Sequence, residues 1–137
     1  MRVEASSGSG GGGGGNLDFS QMECIKNGTY SSSQTYTFNT TLTPDTVYFV
    51  VNRHSRAGAF TEGQKYDFQN NTISTDWDNF IYLDMILKVD SSNNVIKLFE
   101  PMADSMITTA TYSGTSLVLA SSMFPSGNAA MAIFKMD

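Results

Sequence analysis

An antiparallel β-sandwich, or a jelly-roll-like relative of it, is the fold that this 137-residue sequence predicts. Short runs of β-branched, aromatic and alternating apolar residues recur about every 8–12 residues. Each is bounded by Gly, Pro, Asn, Asp or Ser, the signature of an all-β chain of about nine or ten strands. The polar residues are mostly short, with 17 Ser, 14 Thr and 10 Asn against only 15% charged residues. Such side chains compete with the helical backbone for hydrogen bonds and suit strands and turns. No stretch carries a convincing helical period.

The first strand is expected at 22–30, with a break at Asn27-Gly28. In 34–39, Tyr36 and Phe38 alternate with Thr35, Thr37 and Asn39, the pattern of a half-buried strand. Thr43-Pro44-Asp45 is a turn, because proline presets the backbone angle that a turn needs. Residues 46–53 are a continuous β-branched and aromatic run, which predicts a central strand covered on both faces. Short strands follow at 65–68 and 71–75. Residues 79–90 form the longest apolar element. Ile81, Leu83, Met85, Leu87 and Val89 share one face at period two, and Phe80, Tyr82, Asp84 and Ile86 occupy the other, so a strand is preferred over a helix. Asp90 to Asn94 is a turn, after which 95–100 pairs back as a hairpin that Pro101 ends. The last strands are expected at 106–112, 116–121 and 129–135. The last of these is apolar enough to be an aggregation hazard unless a neighbour covers it.

The chain divides into a Ser/Gly-rich N-terminal arm, residues 1–15, and a β-sandwich body, residues 16–137. Six consecutive glycines, Gly10, Gly11, Gly12, Gly13, Gly14 and Gly15, dominate the arm. Glycine loses more backbone entropy on ordering than any other residue, so such a run is ordered only when something holds it. A residue without Cβ also lets backbones approach closely and add to a sheet edge. Ser7, Gly8 and Gly10 to Gly15 are therefore read as a segment that docks on a partner. The run formally satisfies G-x-G-x-x-G, yet it follows no strand and opens no helix, so it fails as a dinucleotide or phosphate loop.

Net charge is −5. The eight Lys and Arg are scattered, so a nucleic-acid partner is not expected. The first residues contain no apolar signal region, and no run approaches the length of a membrane span. Synthesis in a cytoplasm and no membrane association are expected. Cys24 is the only cysteine; it makes no internal disulfide or zinc site and reads as a small core residue.

Three places carry candidate chemistry. His54, between Arg53 and Arg56, is the sole histidine. It has no adjacent carboxylate to orient it, and two cations disfavour its charged form, so it reads as a polar loop or strand end rather than a general base or a ligand for an anionic group. Asp76-Trp77-Asp78 is the best glycan or metal candidate, because an extended chain points both acids one way and the indole can stack on a sugar ring. A calcium site needs six or more oxygens, which this pair does not supply, so no metal is assigned. Asp84 lies within an apolar strand and is expected at the rim or paired, as at a subunit contact with a lysine such as Lys88 or Lys97. No G-x-S-x-G elbow, H-E-x-x-H or C-x-x-C is present. Catalytic residues and cofactors are accordingly not assigned, and the chain is not expected to be an enzyme.

Asn27-Gly28-Thr29-Tyr30, then Thr35 to Leu42 and Val47 to Val51, resembles the small β-domains of bacteriophage virion proteins of the head-fibre, decoration and tail-fibre type. The shared style is a Ser/Gly-rich leader, a Gly-Thr-aromatic hairpin and a hydrophobic strand, within residues 6–53. Thr41 stands where glycine is usual. The resemblance implies a structural protein of a virion, assembled in the host cytoplasm. Its implied partners are copies of itself, commonly as a homotrimer, and other virion proteins. The alternative from the residues themselves is a module that binds a cell-surface glycan through Asp76, Trp77 and Asp78.

Overall fold

The computed structural model describes residues 18–30, 35–53, 60–70, 81–99, 109–120 and 130–136. These form β1 (Met22–Asn27), β2 (Thr29–Tyr30), β3 (Thr35–Phe38), β4 (Tyr48–Arg53), β5 (Lys65–Tyr66), β6 (Ile81–Val89), β7 (Val95–Phe99), β8 (Thr109–Tyr112), β9 (Leu117–Ala120) and β10 (Ala130–Lys135). A six-stranded sheet has the order β5-β1-β10-β4-β6-β7, and a four-stranded sheet the order β2-β3-β9-β8. Every pair is antiparallel. The all-β, two-sheet expectation holds. The strand expected at 65–68 shortens to β5, and the one expected at 71–75 lies outside the described residues.

The break at Asn27-Gly28 is where the chain changes sheets, since β1 belongs to the larger sheet and β2 to the smaller. Gly28 N donates to Met131 O at 2.7 Å. A Cβ on Gly28 would sit 2.9 Å from Phe38 Cε1 and 3.1 Å from Tyr36 Cδ1. The crossing thus leaves no room for a side chain beside these two rings.

Two apolar layers hold the fold. Between the sheets, Tyr36, Phe38, Leu117 and Leu119 of the smaller sheet meet Tyr48, Val50, Met85, Leu87, Met131 and Ile133 of the larger. The outer face of the larger sheet is covered by its own connections. Phe19, Phe60, Tyr66 and Phe68 pack over Phe49, Val51, Cys24 and Phe134. Phe134 is at the centre of that layer, with edge-on contacts to Phe60, Tyr66 and Phe68 at ring separations of 5.1–5.2 Å. This is why β4 reads as a continuous apolar run: Tyr48 and Val50 point into the sandwich, Phe49 and Val51 into the aromatic layer. The apolar C-terminal strand needs no neighbouring molecule to cover it, because β10 is central, between β1 and β4.

The one-face expectation for Ile81, Leu83, Met85, Leu87 and Val89 fails midway. The register of β4 on β6 slips between Val50, which pairs with Met85, and Val51, which pairs with Leu83. Asp84 is the additional residue of a β-bulge. A bulge places two consecutive residues on one side of the strand and reverses the alternation beyond it. Met85, Leu87 and Val89 therefore face inward, while Leu83 joins Ile86 in the outer layer. At the sheet edge, β7 carries another slip against β6 and exposes Lys97, two devices that discourage strand addition.

Candidate functional site

The register places many strand ends together. Arg53 is opposite both Ala130 and Ile81, Ala120 is opposite both Thr35 and Thr109, and Tyr30 is opposite Tyr36. These termini form one end of the sandwich. The arm residues Ser7, Gly8 and Gly10 to Gly15, the candidates Asp76, Trp77 and Asp78, and His54 and Arg56 all lie outside the described residues. Arg53 is described, and its guanidinium lies over the Phe60 ring at 5.2 Å from the centroid, on the outer face.

Just inside this end sits the arrangement that departs most from an ordinary sandwich core. Asn52 is fully buried and Asp84 is 5% exposed, and they are the only buried polar or charged residues among those described. Asn52 follows Tyr48 and Val50 on the inward face of β4, and the bulge turns Asp84 onto the same side. The Asn52 carboxamide is the polar group that acts on the Asp84 carboxyl. Yet Asn52 Nδ2 and Oδ1 and Asp84 Oδ1 and Oδ2 all lack a hydrogen bond of ordinary geometry. Burial pushes the Asp84 carboxyl up from 3.8 to about 8, and Asn52 offsets this only in part. At neutral pH the group is therefore mostly the uncharged acid.

This corrects the rim position expected for Asp84. Within the chain, the polar group beside it is Asn52. Lys88 Nζ is instead 3.8 Å from Asp45 Oδ1 at the opposite end, and Lys97 pairs in register with Leu87. The physical reason is the bulge, which carries Asp84 from the face it would share with Ile86 to the inward one. Asn52 was not singled out by the sequence reading, although an amide inside an otherwise continuous β-branched run is the signal that finds it.

The chemistry open to the pair is proton storage and hydrogen bonding. Cys24 is buried in the outer layer, where burial, aided by the nearby Glu62 charge, pushes its thiol up to about 11 and keeps it from acting as a thiolate. Among the described residues, no group of three or more His, Cys, Asp or Glu is placed to hold a metal ion, and no helix is long and apolar enough to cross a membrane. No family model, no curated protein and no solved structure matches the chain.

Proposed function

We propose that this chain is a non-enzymatic structural protein of a bacteriophage-type virion, a capsid decoration, head-fibre or tail-associated subunit that attaches through its N-terminal arm. The observation that carries the reading is the pairing of a hexaglycine arm with an antiparallel two-sheet body. Residues 8–15 carry a single side chain, Ser9, so the affinity of this stretch must come from backbone groups laid against a partner. The resemblance of residues 27–51 to virion β-domains supports the same assignment, with copies of the chain, as a homotrimer, and other virion proteins as partners. Location in the virion and assembly in the host cytoplasm follow from it.

Deleting residues 1–15 tests the reading. The truncated protein is expected to keep the circular dichroism and melting behaviour of the parent and to be lost from particles. Truncated protein present at full occupancy overturns the assignment of the arm.

A second reading rests on the sequence Asp76-Trp77-Asp78, two acids that flank an indole able to stack on a sugar ring. It assigns glycan binding to those three residues. Trp77→Ala is expected to abolish a glycan-array signal given by the parent protein, and an unchanged profile rejects it.

A further inference from the structure

We propose that Asp84 and Asn52 form a proton-operated latch, in which the neutral acid and the amide pair reciprocally between the sheets and close the end of the sandwich at which β4 ends and β6 begins. The argument begins with four polar atoms that burial has cut off from water and that no other described group satisfies. Such atoms are costly when left unpaired. A carboxylic acid and a primary amide solve this between themselves. The acid O–H donates to Asn52 Oδ1, and Asn52 Nδ2 donates to the other Asp84 oxygen, so two hydrogen bonds engage all four atoms. A carboxylate cannot do this, because it has no proton to give and would face Asn52 Oδ1 lone pair to lone pair.

The position of the pair gives it leverage. Asp84 is the additional residue of the β4–β6 bulge, where one ladder position is already missing. Beyond it, Leu83, Tyr82 and Ile81 continue along Val51, Asn52 and Arg53 to the strand ends. Loss of the pairing thus acts on the last turn of ladder that ties β6 to β4.

Other charges are poorly placed to hold the ionised form. On β4, Arg53 points to the outer face over Phe60, and Tyr48 lies at the far end of the strand. On β7, Lys97 is opposite Leu87. Lys26 is opposite Ile133, and Lys135 is opposite Tyr48 at the far end. From the smaller sheet come Tyr36 and Tyr112, and the Tyr112 hydroxyl is engaged by Leu42 and Gly114. The burial that raises the Asp84 carboxyl to about 8 is consistent with this isolation.

The linkage has a definite sign. The folded value lies above the unfolded one, so between about pH 4 and pH 8 the native state holds a proton that the opened state releases. Stability is full below that window and declines as pH rises through it. The opening equilibrium grows about tenfold per pH unit and levels off above the folded value.

The test uses the full chain. The Asp84 carboxyl carbon is followed by NMR from pH 4 to 10, and amide exchange at Leu83, Asn52 and Arg53 is compared with Tyr48 and Leu87 after correction for intrinsic rates. The expected result is a carboxyl that titrates near neutrality or above, with exchange at the three latch amides rising about tenfold per unit and that of the others lagging. Asp84→Asn keeps a reciprocal amide pair with nothing to ionise, so its exchange and melting should be flat over the same range. An Asp84 carboxyl that titrates in the ordinary acid range overturns the proposal. So does an Asp84→Asn protein whose pH profile runs parallel to the parent's. The wild-type titration decides the matter even if the variant does not fold.

Discussion

Asp90 and Asp84 sit six residues apart in sequence, near opposite ends of the sandwich, and the fold treats them in opposite ways. Asp90 closes the β6–β7 turn. Its Oδ1 accepts from Ser92 N and Asn94 N at 2.9 Å each, and its Oδ2 accepts from Asn94 Nδ2 at 3.0 Å. Those donors hold its carboxyl below the usual range. Asp84 has burial without donors, and its carboxyl is raised. The difference extends to the surroundings. At the Asp90 end, Tyr112 OH accepts from Leu42 N at 2.8 Å and donates to Gly114 O at 2.9 Å, Tyr48 OH accepts from Thr43 N at 2.7 Å, and Met136 N donates to Val47 O at 3.0 Å. Tyrosines that keep their rings in the core and deliver hydroxyls to the connections have knitted that end. At the other end the core closes on an amide and an acid. The pH profile inherits both signs. The depressed acids Asp18, Asp67 and Asp90 stabilise above their unfolded values, and that contribution is lost as pH falls through the folded values. Asp84 works against stability as pH rises toward 8.

The comparison breaks most forcefully at Tyr48. Its ring is fully buried between the sheets, and its hydroxyl holds Thr43. Tyr48→Ala is expected to cost about 3–5 kcal/mol in urea unfolding, as for other large aromatic truncations in cores. Tyr48→Phe keeps the ring and is expected to cost about 1–2 kcal/mol, the value of an orphaned backbone donor. If the two variants lose equal stability, the hydroxyl rather than the ring holds that end, and the knitting argument strengthens at the expense of the packing one.

At the other end the same logic predicts a gain. Replacing Asn52 and Asp84 together with Val removes every unpaired side-chain atom of the pair and supplies residues that suit a buried strand. The double variant is expected to be more stable than the parent by about 1–4 kcal/mol at pH 8, as when other buried polar clusters are exchanged for apolar ones. The gain should shrink toward pH 4, where the parent's acid is neutral without cost. A double variant less stable than the parent at every pH would mean that the bulge itself depends on the polar pair.

The contrast between the ends also separates what the sequence announces from what it hides. Strand positions are legible because alternation and turn residues are local. Pro44, the Asp90–Asn94 turn and the 46–53 run each declare themselves within a few residues. The bulge is not local. It is seen only in the pairing of β6 with β4, and a single inserted position reverses every face assignment beyond it. Leu83 and Asp84 were therefore given the wrong faces, although the strand was correct. The Asn52–Asp84 pair is hidden for the same reason, since its members are 32 positions apart and meet only through that slip. The central position of β10 is similarly invisible, because it depends on long-range pairing with β1 and β4.

Gly28 probes the crossing between the sheets, which ties the two ends together. Gly28→Ala places a methyl within 2.9–3.1 Å of the Phe38 and Tyr36 rings. Both rings are fully enclosed and have little room to turn away. The expected cost is about 1–3 kcal/mol from overpacking, read as a lower urea midpoint with an unchanged slope. Gly28→Ala combined with Phe38→Leu should recover part of it, because the smaller side chain vacates the contact. A loss without recovery would assign the role of Gly28 to its backbone instead.

The smallest effect is expected from an ion pair that the knitted end presents to solvent, Lys88 with Asp45. Asp45 has a left-handed backbone, φ 65°, and its N–H donates to Val89 O at 2.9 Å. Its carboxylate is 79% exposed and lies 3.8 Å from Lys88 Nζ. At that exposure the pair is worth under about 1 kcal/mol, since water screens it and two side chains lose freedom to form it. Asp45→Asn isolates the charge, because asparagine tolerates the same backbone conformation. The variant should lose no more than this amount in low salt. The difference should vanish in about 1 M salt, where the screening length falls to roughly 3 Å. A larger loss that survives high salt would show that the Asp45 carboxylate contributes through something other than this screened ion pair.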